Sequence, residues 1–400
     1  MAPGAVTSRN RSSAPVISPV SHGQTPLRTV QVLGGGSTES GAHVHALTAG
    51  LVARGVRVTV CAPAEVGRAY AFDSVGARQV PLPRRGDPAS VAALRAICAQ
   101  ADLVHAHGLG AGLRAALALS GWRLPLVVTW HGRAPTRGAR ARAVRLLERR
   151  VARSASVVLA TCCDLVDRAR HHGARDARLA AVASPVRRRT ADGGVHAHAT
   201  DEADEADVAP QKARAELGAV ERPLLVAVGP LDRHQGYDTV LDATHAWTGL
   251  DPVPLLVVAG EGPLRGALQR RIERESLPVR LLGRRDDVAA LLTGADAALS
   301  VSRWEARSVV AQEALRAGVP LVATAVGGTP ELVGAAAELV PYGDAVALGE
   351  AVVRVLADGT RRARLRERGL AQAATWPTED ETVAQVLSVY DELTRPLLLR

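Results

Sequence analysis

A chain of 400 residues, 47% of them apolar, exceeds what one hydrophobic core usually supports, so the first division is into two compact domains. The formal charge of +9 suits nucleic acid, an anionic membrane surface or an anionic substrate, but Lys212 is the single lysine and aromatic residues make up only 2% of the chain. With so little to stack on bases, nucleic acid is the partner that composition argues against.

In chain order, residues 1–28 form a Ser-, Pro- and Gly-rich tail without the apolar stretch of a signal peptide. No run of about 20 apolar residues follows anywhere, so a cytoplasmic protein is expected. Short β-branched and Leu-rich runs then recur at Thr29–Leu33, Val56–Cys61, Leu103–His105, Leu126–Trp130 and Val157–Thr161, with helix-like stretches between several of them. This βα rhythm predicts a parallel sheet buried on both faces over residues 29–186. Within it, Arg133 to Arg153 carries eight arginines against the single acid Glu148, with Val144, Leu146, Leu147 and Val151 at roughly helical spacing. Two readings stand: a packed surface helix with a solvated basic face, or a peripheral contact with anionic lipid. Cys61, Cys98, Cys162 and Cys163 lie in apolar segments without C-x-x-C spacing, which fits small buried residues in a reducing compartment better than disulfides or zinc ligands.

The rhythm stops at residues 187–212, where basic, Gly-rich and acidic patches, including Asp201 to Asp207, read as a linker or insertion. It restarts at Leu224–Val228 and continues through Leu255–Ala259, Val279–Leu282, Ala297–Val301 and Leu321–Thr324, giving a second doubly wound domain over 213–376. A closing segment, 377–400, contains a helical stretch from Thr378 to Leu393.

In such α/β folds a ligand sits beyond the carboxyl ends of the strands. There the first half offers Gly34, Gly35 and Gly36, then His131 and Gly132. The second offers Gly229, Gly260 to Gly262, Ser302 to Glu305, and Gly327 with Gly328. Glycines at these turns let backbone approach a ligand, and their recurrence predicts a cleft between the domains. Glu305 closes a strand, Ser308 is a helix N-cap, and Glu313 falls about a turn and a half into the helix on an apolar stretch, where a carboxylate needs a partner. The two acids therefore bracket a helix N-terminus suited to diphosphate, ready to accept hydroxyl hydrogen bonds. His131 could pair with a forming anion or be a structural hydrogen bonder. His105 and His107 are conceivable as an i, i+2 metal pair, but no third ligand is apparent in the sequence.

The segments Ser302 to Val333, Gly260-Glu261-Gly262-Pro263-Leu264, Val127 to Gly132 and Val44 to Val60 together resemble the GT-B glycosyltransferases of family 4, the retaining type with a Glu-x7-Glu motif, in their actinobacterial form. The resemblance runs from about Thr29 to Tyr390. It implies two Rossmann-like domains facing a cleft, the first on the acceptor side, with the last helix crossing back to it. It also implies retaining transfer from a UDP- or GDP-linked sugar to a lipid, glycan or small-metabolite acceptor, without cofactor or obligate metal, in a cytoplasmic protein that could sit peripherally on the inner face of the plasma membrane. By residue, it implies that His131 and Glu305 are catalytic and Glu313 holds the ribose. Gly35, Gly36, Gly229, Arg233, Gly260, Gly262, Ala306, Arg307, Ser308 and Val309 then line the nucleotide-sugar site. The sequence departs from the family at Pro230 and Gln235, which stand where an Arg and a Lys neutralise the diphosphate. Arg233 and His234 are near enough to substitute, whereas Asp232 and Glu39 add opposing charge. A non-catalytic protein on the same scaffold and a sugar-nucleotide epimerase are the alternatives.

Overall fold

The computed structural model describes residues 26–34, 38–83, 87–133, 139–183 and 211–394. Seven strands form the first sheet: β1 (Arg28–Leu33), β2 (Arg57–Ala62), β3 (Arg78–Pro81), β4 (Leu103–His107), β5 (Leu126–Trp130), β6 (Val157–Ala160) and β7 (Ala177–Leu179). Six form the second: β8 (Leu224–Val228), β9 (Leu255–Ala259), β10 (Val279–Gly283), β11 (Ala297–Ser300), β12 (Leu321–Thr324) and β13 (Ala337–Val340). The orders are β3-β2-β1-β4-β5-β6-β7 and β10-β9-β8-β11-β12-β13, with parallel pairing throughout. Each order reverses beside its first strand, between β1 and β4 and between β8 and β11, and ligands collect at such switch points.

Central strands read as uninterrupted apolar runs because helices cover both faces; every residue of β5, Leu-Val-Val-Thr-Trp, is buried. The three strands without such a run, β3, β7 and β13, lie at sheet edges and are largely part-exposed, so they tolerate Arg78, Arg178 and Glu338. β4 runs two residues beyond its apolar part because His105 and His107 are buried with hydrogen-bond partners.

The last helix, Glu379–Thr394, starts on a capping box: the Thr378 N–H donates to Glu381 Oε2 at 2.8 Å while Thr378 Oγ1 accepts from the Glu381 N–H at 3.1 Å. It packs on the first domain, not the second. Val383, Val386, Val389 and Tyr390 join a core with Val44, Leu47 and Leu51 from the first helix, Thr38–Ala53. Arg54 to Asp380 at 2.9 Å and Arg178 to Glu392 at 2.8 Å flank this contact.

The basic stretch forms the helix Ala139–Ser154. Val151 is buried, but Leu146 is 64% exposed and Leu147 38%, so the apolar spacing is only partly used for packing. The lone acid points inward: Glu148 is buried and receives Arg168 at 2.7 Å and His172 at 3.1 Å. Of the four cysteines three are buried. Cys163 is exposed, contrary to expectation, because it opens the helix Cys163–His171 at the domain boundary. No helix among the described residues is long and apolar enough to cross a membrane.

Candidate active site

The carboxyl ends of the two sheets face each other across a cleft of about 440 Å³. On the second-domain side, loops after β8 and β11 are stitched together. Asp232 Oδ1 accepts from the His234 N–H at 2.7 Å, His234 Nε2 lies 2.7 Å from the Trp304 carbonyl oxygen, and the Arg303 N–H donates to the His234 carbonyl at 2.7 Å. Ser302 Oγ donates to Glu305 Oε1 at 2.5 Å and so positions the acid, and Gln235 Oε1, also an acceptor, lies 3.0 Å from the same hydroxyl. Glu305 Oε2 has no hydrogen-bond partner among the described residues and can accept from a ligand hydroxyl.

Several glycines after the strands stand where neighbouring backbone leaves no room for a side chain. The Gly328 N–H donates to the Glu305 carbonyl at 2.8 Å, and a Cβ on Gly328 would overlap the Ala306 carbonyl oxygen. A Cβ on Gly260 would likewise overlap the Gly229 carbonyl, and one on Gly262 would meet the Leu231 backbone. Glycine at these positions lets neighbouring βα loops pack edge to edge, and that packing fixes the Glu305 turn.

Ser308 caps the helix Val309–Arg316, its Oγ accepting from the Ala311 N–H at 3.3 Å. Arg307, one residue earlier, lines the cleft. Its hydrogen bond among the described residues is a 3.5 Å contact to Gln312 Oε1, and burial holds its guanidinium below the ordinary arginine value, with Glu331 opposing that shift. A half-buried cation with no ion-pair partner among the described residues suits an anionic ligand. Arg133, from the first domain, stacks 5.4 Å over Trp304, whose Nε1–H crosses the cleft to Asp164 Oδ2 at 2.7 Å. Glu331 reaches the Cys163 N–H at 3.1 Å, a second tie between the domains.

The first-domain wall is a set of imidazoles. His131 follows β5, His107 ends β4 and His43 comes from the first helix. Behind them runs a buried relay: His107 Nε2 to Gln31 Oε1 at 2.9 Å, Gln31 Nε2 to Tyr390 Oη at 2.9 Å, Tyr390 Oη to His105 Nδ1 at 2.7 Å, and His105 Nε2 to Thr129 Oγ1 at 2.7 Å. Burial pushes His43 down to about 4 and His105 to about 3, and takes His107 and His131 well below the ordinary histidine value, with the neighbouring histidines adding to it at His105, His107 and His131. All four are neutral at pH 7. Both nitrogens of His105 are engaged, so the conceivable His105–His107 metal pair does not form.

Of the residues expected at the site, His131, Glu305, Ala306, Arg307 and Val309 line the cleft, and Ser308 lies buried beneath it as the cap. Pro230 and Gln235 also line it. Gly229, Gly260 and Gly262 are not among the residues lining the cleft and pack against neighbouring loops. Arg233 is exposed and outside the lining, because its neighbours Asp232 and His234 turn the loop inward around it. Glu313 is part-buried with Arg316 opposite, not isolated on an apolar stretch; Gln312 forms the adjoining wall. Gly35 and Gly36 lie outside the described residues, as do most of the tail and linker. Sequence reasoning missed His43, Arg133 and Gln312, whose places depend on packing between distant segments.

Residues 38–185 match the glycosyl transferase 4-like domain, and residues 210–372 match glycosyl transferases group 1. Over 320 residues the chain is 31% identical to the D-inositol 3-phosphate glycosyltransferase of Salinispora arenicola, covering 73% of this chain and 68% of that relative. The chain belongs to the GT-B glycosyltransferases. This GT-B chain is also 34% identical over 171 residues to a glycogen synthase of Mycobacterium tuberculosis, a match spanning 40% of the chain and only 41% of that protein. Its fold is similar to that of HepE from Anabaena, crystallised with UDP, at a TM-score of 0.73 and 18% identity over 92% of this chain and all of that one.

Proposed function

We propose that the chain is a retaining glycosyltransferase that moves a sugar from a UDP- or GDP-linked donor to a hydroxyl of an acceptor bound against the first domain, residues 29–186. The observation that carries the reading is the placement of Glu305 and Arg307 at the start of the helix Val309–Arg316, facing His131 across the cleft. As the bond from the sugar to the diphosphate breaks, negative charge collects on the leaving diphosphate and must be met by positioned donors. The proposal gives that role to Arg307, with Arg133 opposite, in place of the cations missing at Pro230 and Gln235. Glu305 accepts from a sugar hydroxyl, Glu313 from the ribose, and His131 faces the sugar and the leaving group.

Both donor bases have support among similar proteins. HepE has been crystallised with UDP-glucose, and a GDP-mannose-dependent mannosyltransferase of Mycobacterium tuberculosis is 30% identical over 43% of this chain and 45% of its own. The non-catalytic reading rests on Pro230, Gln235 and Glu39, and Arg307 in the cleft weighs against it. Calorimetry with UDP and GDP, followed by donor turnover with the nucleotide that binds, tests the proposal; binding of neither nucleotide and no turnover would remove it. The basic helix Ala139–Ser154 with Leu146 exposed supports peripheral, electrostatic docking on anionic lipid. Sedimentation with vesicles checks this, since binding that ignores anionic lipid content would exclude it.

A further inference from the structure

The first-domain wall of the cleft holds three imidazoles whose nearest ring nitrogens all lie within 4.8 Å of one another: His43, His107 and His131. They come from three separate elements, the first helix, the end of β4 and the turn after β5, so their convergence is a property of the fold and not of local sequence. His107 Nδ1 stands 3.5 Å from His131 Nε2. That is long for a hydrogen bond. It is close to the roughly 3.3–3.4 Å that separates two nitrogens held tetrahedrally at about 2.0–2.1 Å from one zinc ion. The support behind the ligands has the required chemistry as well. Gln31 Oε1 can only accept, so at 2.9 Å it fixes the proton of His107 on Nε2 and turns the lone pair of Nδ1 toward His131. A ligand imidazole anchored through its other nitrogen to an amide oxygen is the usual outer support of a metal site. Gln31 is itself held by Tyr390, which continues the support into the core.

We propose that His43, His107 and His131 form a site for a divalent cation of the zinc class, with its fourth position open toward the cleft. Three neutral imidazoles select zinc, copper or nickel over magnesium or calcium, and the open position suits water or an oxygen of whatever occupies the cleft. The site does not rest on the transferase reading, since its test reads metal binding and not turnover.

Zinc titration of the full metal-stripped chain against a chromophoric chelator is the experiment. It should give one tight equivalent, and cobalt in its place should give the intense visible bands of a four-coordinate ion. His43→Gln and His131→Gln should each weaken zinc at least about a hundredfold, and Gln31→Leu should weaken it about 10–100-fold through the lost outer support. His45→Gln, on the same helix as His43, should bind as wild type does. Zinc should raise the melting temperature of wild type and not that of the two ligand variants. If His43→Gln fails to fold, His131→Gln, at a part-exposed loop position, carries the comparison. Absence of a tight equivalent in wild type overturns the proposal, as does affinity in the ligand variants within about threefold of wild type. A loss in His45→Gln equal to that in His43→Gln also overturns it.

Discussion

Replacing Arg307 by alanine removes the one arginine that the second domain, among the described residues, contributes to the cleft lining, at the start of the helix Val309–Arg316. Among the described residues that guanidinium has a long contact to Gln312 and no ion pair within 4 Å, so its charge stabilises little of the fold. Arg307→Ala is therefore expected to leave the melting temperature unchanged or slightly raised, since a half-buried charge without a close partner is removed. With donor bound the balance reverses. A positioned charge partner of a leaving group contributes about 3 kcal/mol to transition-state stabilisation, which is about a hundredfold in kcat. A charge-assisted hydrogen bond to the ground-state diphosphate contributes about 1.5–3 kcal/mol, or roughly 10–150-fold in nucleoside diphosphate affinity. The assay is calorimetry with the diphosphate, steady-state turnover with the matching nucleotide sugar, and thermal denaturation of both proteins. Arg303→Ala and Arg233→Ala, both exposed arginines on the loops beside the cleft, serve as controls with losses under about threefold. Arg307→Ala with turnover and affinity within threefold of wild type, alongside a hundredfold loss in Arg233→Ala, would refute the reasoning and hand the diphosphate to Arg233.

Glu313→Ala should weaken nucleoside diphosphate binding by about tenfold in calorimetry, and equal affinity would remove the acid from the ribose. His131→Ala is expected to lower turnover far more than nucleotide affinity, because it stands on the opposite domain; full activity in the variant would make it a structural histidine. Gly328→Ala must push the Ala306 carbonyl away, so it should lower stability by about 1–3 kcal/mol in urea unfolding and also lower turnover through the displaced Glu305 turn. Thr378→Ala deletes half of the capping box and should cost about 1 kcal/mol by the same measurement, with m unchanged.

The parts of the fold that the sequence carried openly are those where one local rule decides the outcome. Leu126–Trp130 and Leu255–Ala259 are strands because an apolar run buried on both faces has few other destinations, and Ser308 is a cap because a short acceptor precedes an apolar helical stretch. Edge strands such as Arg78–Pro81 were illegible, since a strand covered on one side needs no such run. The candidate site was legible along the chain but not across it. Glu305 and His131 announce themselves by standing at strand ends, whereas His43 is one histidine in a helix until that helix packs beside β4 and β5. Arg233 looked the better cation than Arg307 on spacing alone. The hydrogen bonds of Asp232 and His234 decide otherwise, and they depend on Trp304, about seventy residues away.

Tyr390 carries one more consequence. Its hydroxyl joins Gln31 of the first strand to His105 of the fourth, and its helix supplies the apolar surface that closes the core beneath them. Domains commonly fold in the order in which they leave the ribosome. Here residues 29–186 emerge first yet lack a wall of their own interior until residues 383–390 have been made. The second domain, whose sheet is contained in 224–340, has no such debt among the described residues. The histidine face of the cleft is thus finished last during synthesis, when the chain's final helix returns to the place where the first strand began.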